Sequence, residues 1–438
     1  MALSSDVRKE YIKNVIANEA VLRHKKVFYR EEVHLLPVYK LELKYLIFNQ
    51  FNDRIAVEMR TREARLGEAG REYTDDLENL ICKTLWEDRE SSNKRTLENL
   101  GKIGQQEPGV VTLDGVIIDG NRRAMLLKNH LKKEFFEAAI LPEELENNSV
   151  WIRRLETQIQ FGVDEKVDYE PIAKYLKVKE LIIKDGMTVS QVAPLFNEND
   201  SDIKKYLETM NLMDEYLDYI GAAGVYTLLR FVGKDGSRED SFLTLRAILN
   251  QLTSGSGKGN IPWVYDESDI DDYKLISFDY IRSESVDPKD FRDIAPAAKS
   301  GGKGGGIFMS ESIFKNLVSE HKKHVTSITE NTEELNDYAR MPEHETKAIQ
   351  DVAKAREMDW QSQVRKGMKE RFFNAKGRWE DQKNEQVPSY YLQGAWDKLS
   401  QITQEHLELE EFLDDPDAQQ LAKDINHLIY EIKKAMGL

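Results

Sequence analysis

The 438-residue chain has one cysteine, Cys82, which excludes an intramolecular disulfide and any metal site built on several thiolates. Cys82 sits in DLENLICKTLW beside apolar Leu80, Ile81 and Leu85, the setting of a packed thiol rather than a reactive one. The eight histidines show no HExxH or comparable ligand pair, so no zinc site is expected. No apolar run approaches the roughly 18 residues needed to cross a bilayer. The opening stretch, MALSSDVRKEYIKNVIANEA, is amphipathic rather than signal-like, and a cytoplasmic protein without a membrane partner is expected. A surplus of positive charge is also missing: 62 lysines and arginines against 78 aspartates and glutamates leave a net charge of -16. That balance disfavours broad coating of nucleic acid, which needs many cations to neutralise phosphates. The deficit lies downstream of residue 150, so a local basic pocket in the N-terminal half is compatible with it.

What is present fits a chain of two or three globular domains, with 40% hydrophobic and 32% charged residues. Val7, Tyr11, Val15, Ile16, Ala20 and Val21 recur at helical spacing and predict one N-terminal helix over residues 3 to 29. VHLLPVYKLELKYLIFN, rich in β-branched and aromatic residues, reads as a strand, a turn and a short extended segment. From Val57 to Asn99 the pattern turns helical, and the mixed charges of RTREARLGEAGRE mark a solvated face.

The clearest local signature is GVVTLDGVIIDGNRRA, Gly109 to Ala124. VVTL and VIID are short apolar runs joined by Asp114-Gly115, which favours a tight hairpin, and a helix follows from Asn121 through MLLKNHLKKEFF. Asp119-Gly120 ends the second strand. Glycine lets backbone approach a ligand closely, and a helix start offers unpaired amide hydrogens and a positive dipole end. With Arg122 and Arg123 added, the segment reads as a phosphate cradle. The competing reading has Asp119 capping the helix while the arginines pair with surface acids, and a motif this short does not decide between them.

Glu165 to about Tyr219 reads as consecutive helices with helix-turn-helix proportions, with Thr188 as an N-cap and Asn197 where a left-handed turn residue is wanted. The residues that would enter a major groove are Asn197, Glu198, Asn199, Asp200, Ser201 and Asp202, followed by Lys204 and Lys205. Carboxylates aimed at phosphates repel them, so a helical scaffold or protein-binding face is favoured over operator reading. Two glycine-rich stretches, Thr253 to Asn260 and Lys299 to Gly306, do not fit GxxxxGK[ST] and read as linkers or loops. Between them, WVYDESDIDDYKLISFDYI reads as a segment that could hold short strands. Helical periodicity dominates the remainder, where Trp360, Phe372, Phe373, Trp379, Tyr390, Tyr391 and Trp396 are expected in a core or a subunit contact.

The order of these pieces resembles ParB proteins. KLELKYLIFNQFNDRI resembles their first nucleotide-binding box and ends on Arg54; VIIDGNRRAML resembles the second, a Gly-Glu-Arg-Arg element mapping onto Gly120, Asn121, Arg122 and Arg123. LETQIQFGVDEKVDYEPIAK resembles the third, and KDGMTVSQVAPLFNENDSDIKKYLETMNLM matches the helix-turn-helix in length. The resemblance covers about 185 residues, Val33 to about Leu217. Two departures stand out. Asn121 replaces the family glutamate, and Thr157, Gln158, Ile159, Gln160 and Phe161 replace the polar residues of the third box, with Glu156 one position earlier as a substitute carboxylate. The same fold occurs in sulfiredoxin, but Cys82 is not in that enzyme's motif. The Ile-Asp-Gly-x-x-Arg pattern is also similar to ParB-like nucleotidases of DNA-modification and antiphage systems.

The resemblance implies an α+β chain: an N-terminal helix (1-30), a ParB/sulfiredoxin-like nucleotide-binding domain (31-164), a helix-turn-helix unit (165-232), a mixed region with glycine-rich loops (233-306) and a helical C-terminal module (307-438). It implies a nucleotide switch in a DNA-associated process such as partition or antiphage defence, binding CTP or another nucleoside triphosphate with Mg2+ and open to hydrolysing it. Arg54, Asp119, Gly120, Asn121, Arg122, Arg123 and Gln158 would bind the nucleotide, Glu156 the metal, and Glu156 or Asp119 would be the catalytic candidates. Two rivals stand beside it: a non-enzymatic adaptor that meets a protein partner or a second copy through its C-terminal helices, and a nuclease of the same fold.

Overall fold

A computed structural model describes the chain except residues 1–2, 31, 89, 146–148, 162–170, 231–236, 255–260, 288–289, 291, 296–304, 331, 345–346, 386–387 and 438. The structure is α+β, with a six-stranded mixed sheet in the N-terminal part and helices thereafter. Helix α1 (Ser5–Asn18) is followed by β1 (Arg23–Tyr29) and β2 (Glu32–Glu42), so the expected single helix over 3 to 29 is corrected to a helix and a strand. The reason is a change of period: Lys25, Val27 and Tyr29 turn inward while His24, Lys26 and Phe28 turn outward, as in a half-buried strand.

Further along the chain come β3 (Ile47–Phe48), α2 (Ala56–Leu66), α3 (Asp75–Glu87), α4 (Glu90–Ile103), β4 (Gly109–Val111), β5 (Val116–Asp119) and α5 (Asn121–Met125). Helix α5 continues as a π-helical turn over Leu126–His130 and then stops, and Phe135–Ile140 is strand β6 rather than more helix. Burial decides this, since Phe136, Ala138, Ala139 and Ile140 are all buried in the middle of the sheet. The strand order is β1-β2-β6-β4-β5-β3, with β6/β4 and β5/β3 parallel and the other neighbours antiparallel.

Helix α6 (Ser149–Phe161) covers one face of the sheet, where Ile152 and Leu155 join Val27, Val110, Val116 and Ile118 in a small core. On the other face, Ile12, Leu77, Ile81, Leu85, Leu100 and Met125 pack over Leu41, Val111 and Ile117. Cys82 belongs to that core, and burial pushes its thiol up to about 11, which leaves it inert at neutral pH.

Next are α7 (Pro171–Lys179), α8 (Val189–Val192) and α9 (Asp200–Tyr219). Thr188 caps α8 in a reciprocal box with Gln191, and Asn197 takes the left-handed conformation before α9. Helices α10 (Ser237–Ser254), α11 (Glu267–Ser283), α12 (Glu311–Glu330), α13 (Leu335–Ala339) and α14 (Ile349–Glu385) build one large core with α7 and α9, which runs from Ile172 to Ala375 and takes in Val57 of α2. The segment read as short strands is thus α11, started by the Asp266–Asp269 capping box. Most of both glycine-rich stretches lies outside the described residues, as does the start of the helix expected from Glu165. Trp360 and Phe372 are in the core, and Trp379 packs against it. No described side chain of helices α15 (Pro388–Leu399) and α16 (Pro416–Met436) belongs to that core. No helix among the described residues is long and apolar enough to cross a membrane.

Candidate functional site

The site begins at the β4–β5 hairpin. Gly115 makes the turn with φ 75°, its amide donating to Thr112 O at 3.0 Å. The chain leaves β5 through Gly120, whose φ of 97° is a left-handed value that other residues resist. An added Cβ at Gly120 would also lie 2.8 Å from Phe136 Cζ, so the glycine is required by the bend and by packing together. Beyond the bend the first turn of the 121–130 helix closes with Ala124 N donating to Gly120 O at 2.9 Å.

A clip of buried side chains sets the facing wall. Asn121 Oδ1 accepts from Asn49 N at 3.0 Å and its Nδ2 donates to Ile117 O at 2.8 Å. Asn49 Nδ2 in turn donates to Glu156 Oε1 at 3.0 Å. This chain of contacts fixes the loop after β3 beside the helix start, and Asn52 Oδ1 then caps the Arg54 amide at 3.0 Å. Arg54 thereby reaches the same space as the arginines of α5.

That space is a cavity of about 440 Å³ lined by Arg54, Asp119, Gly120, Asn121, Arg122 and Arg123, together with Lys25, Glu107 and Thr96. Lys25 Nζ donates to Pro108 O at 2.6 Å and to Asp119 Oδ2 at 3.3 Å; Arg123 Nη2 reaches the same Asp119 oxygen at 3.3 Å. Arg122 donates through Nε and Nη2 to Asn93 Oδ1, at 2.9 and 2.7 Å. Arg54 Nη1 meets Asp88 Oδ2 at 3.3 Å. Four cations against the carboxylates of Asp119 and Glu107 leave the lining net positive, although the whole chain is acidic. A volume of this order suits a drug- or nucleotide-sized ligand.

Two of the expected residues lie elsewhere. Glu156 is 1% exposed and is used in the clip through Asn49, away from the cavity lining. Gln158 lines a separate cavity with Trp151 and Arg154. Among the described residues no three His, Cys, Asp or Glu side chains form a group that could hold a metal. Lys25, Asn93 and Thr96 were not foreseen. The alternation in HKKVFY would have placed Lys25 on an inward strand face; nothing local marks Thr96, which lines the cavity from α4, or Asn93, which holds Arg122 from behind it.

No protein-family model matches the chain, and no curated protein matches it. Among solved structures, the C-terminally truncated chromosome-partitioning protein ParB from Caulobacter crescentus complexed with CTP-gamma-S matches at 13% identity and a TM-score of 0.18, over 48% of this chain and 92% of that one. A likeness at that score carries no weight for fold or function.

The helix-turn-helix proportions come with an acidic surface. At the start of α9, Asp200 accepts from Ser190 at 2.5 Å and Asp202 pairs with Lys205 at 2.8 Å, a contact that lowers the Asp202 carboxyl. Both carboxylates lie on the surface that would have to meet DNA phosphates, and the lowered Asp202 stays charged at neutral pH.

Proposed function

We propose that the chain is a nucleotide-binding switch whose first cavity holds the phosphates of a nucleoside triphosphate. The observation that carries the reading is the meeting of Lys25, Arg54, Arg122 and Arg123 around one cavity at the start of the 121–130 helix. Arginine forks suit phosphate oxygens, and a helix start after Gly120 puts the positive end of its dipole on the same side. An entering phosphate replaces Asp119 on Arg123 and Lys25 and Asp88 on Arg54, exchanging protein ion pairs for stronger ligand ones. Magnesium carried by a triphosphate takes one or two carboxylates and keeps most of its waters; Asp119 is the cavity carboxylate that fits that role, and Glu156 is committed elsewhere.

The route from ligand to the rest of the chain is α2. Arg54 lies just before it, and beyond the first turn α2 is tied to the helical part: Val57 enters the large core, Arg60 pairs with Glu180 at 2.7 Å, and Thr61 Oγ1 accepts from Thr227 N at 3.2 Å. A pull on Arg54 is therefore a pull on the contact between the sheet and the helices. Calorimetric titration with CTP, ATP and GTP, each with magnesium, tests the reading. Saturable heat that falls at least tenfold in Arg54→Ala is expected, and no heat with any of the three rejects it.

A second reading, assembly through the C-terminal helices, is favoured by one specific observation. Helices α15 and α16 face each other across an apolar groove of about 810 Å³ that includes Leu392, Trp396, Leu399, Leu421 and Leu428. Trp396 remains 68% exposed and Leu428 62%. Their 3,4 spacing is that of a helical-bundle seam, and an identical hairpin from a second copy would complete it.

A further inference from the structure

Helix α6 separates two cavities. Ile159 lines the first, while Trp151, Arg154, Leu155 and Gln158 line another of about 390 Å³, which shares no residue with it. The second cavity is closed on one side by Phe28, Tyr29 and Arg30 at the end of β1, and on another by Met187, Gln191 and Leu195 beside the helix-turn-helix unit.

The chemistry of this space is unbalanced. Arg153 is saturated by Asp185, to which its Nε donates at 3.0 Å. Its neighbour Arg154 stacks its guanidinium 4.7 Å from the centroid of the Trp151 ring, but its buried Nε has no hydrogen-bond partner and no described residue forms an ion pair with it. The Arg154 guanidinium is thus only partly satisfied by the described residues. Gln158, one turn further along α6, adds an amide with both donor and acceptor. Across the cavity, Arg30 sits in the left-handed region at φ 55° and pairs with Glu143, adding a second cation to the lining.

We propose that this cavity is a second ligand site, taking a planar heteroaromatic ring that carries one anionic group, about the size of a nucleoside monophosphate. The anion meets Arg154 and Arg30, the ring lies against the Trp151 and Phe28 faces, and the Gln158 amide meets the ring edge. The proposal is independent of the triphosphate reading, since the two cavities are lined by different residues.

Equilibrium dialysis of the full chain against AMP, CMP, GMP and UMP tests it, with inorganic phosphate and benzoate as probes of the anion and of a simple aromatic acid. At least one monophosphate is expected to bind saturably, with quenching of tryptophan fluorescence. Affinity should fall tenfold or more in Arg154→Ala and in Trp151→Leu, yet stay within twofold in Arg123→Ala. Arg154→Lys keeps the charge and guards against misfolding; it should fold like the parent chain and bind more weakly. Loss of binding in Arg123→Ala with none in Arg154→Ala would place the ligand in the first cavity and overturn the proposal. So would phosphate binding as well as the nucleotides, or no binding at millimolar concentration.

Discussion

Arg122 and Arg123 are neighbours in sequence and line one cavity, but their replacement should have different consequences. Arg122 gives two hydrogen bonds to Asn93 Oδ1, and Asn93 is fully buried, with its Nδ2 donating to Leu85 O at 2.9 Å and Trp86 O at 2.7 Å. Asn93 thus ties the end of α3 to α4, and Arg122 is what satisfies its oxygen. Arg122→Ala leaves that buried acceptor unmet, which costs about 1–3 kcal/mol of stability. Arg123 instead holds Asp119 at 3.3 Å and Glu107 O at 2.7 Å from a more open position, so Arg123→Ala should cost less than about 1 kcal/mol. Against a triphosphate each arginine provides a charge-assisted contact worth about 1.5–3 kcal/mol, a loss of roughly ten- to a hundredfold in affinity. Urea denaturation of both variants, paired with calorimetry, separates these effects. A lowered midpoint at unchanged slope is expected for Arg122→Ala alone, and weakened nucleotide binding for both. Equal stability of the two variants would refute the assignment of Arg122 to Asn93.

Gly120→Ala should cost about 2–4 kcal/mol through the left-handed φ and the contact with Phe136, and should weaken binding by tilting the helix start; denaturant and ligand titrations check both. Burial works to raise the Glu180 carboxyl, but Lys177, Arg60, Lys184 and Arg153 outweigh it and hold it down at about 2, below its ordinary 4.5. That group contributes on the order of 3 kcal/mol, fully present above about pH 4.5 and lost as pH falls toward 2. Glu180→Gln should accordingly flatten the acid limb of the stability profile, and identical limbs would contradict the ion-pair account. In the C-terminal hairpin, Leu428→Glu should convert a self-associated species to monomer in sedimentation while leaving nucleotide affinity within twofold; a wild-type chain that is monomeric at high concentration removes that reading.

How much of this was legible in the sequence depends on how local each feature is. The hairpin at Asp114-Gly115, the Gly120 bend and the Thr188 cap are set by residues adjacent in the chain, and each could be read directly. The gathering of Arg54 with Arg122 and Arg123 could be expected only from a resemblance, because the Asn49–Asn121–Glu156 clip that produces it joins three distant segments. Glu156 reads in the sequence as a carboxylate available to a metal, and its burial and its contact with Asn49 are not visible there. Lys25 was hidden inside an apparent helix, since the first apolar positions keep a helical period and the strand announces itself only in six residues of alternation. Asn93 gave no signal at all: its importance is a property of the arginine it meets. The strand at Phe135–Ile140 was hidden because LLKNHLKKEFF scans as amphipathic helix, and the burial of Phe136 between β2 and β4 is a tertiary effect.

The most direct test of the central claim is amide hydrogen exchange on the full chain with and without saturating nucleoside triphosphate and magnesium. The expectation is slowed exchange at Asn121, Arg122 and Arg123, which line the cavity at the helix start, and at Asn52 to Arg54 across from them. Slowing confined to other segments, or none in the presence of bound nucleotide, would contradict it.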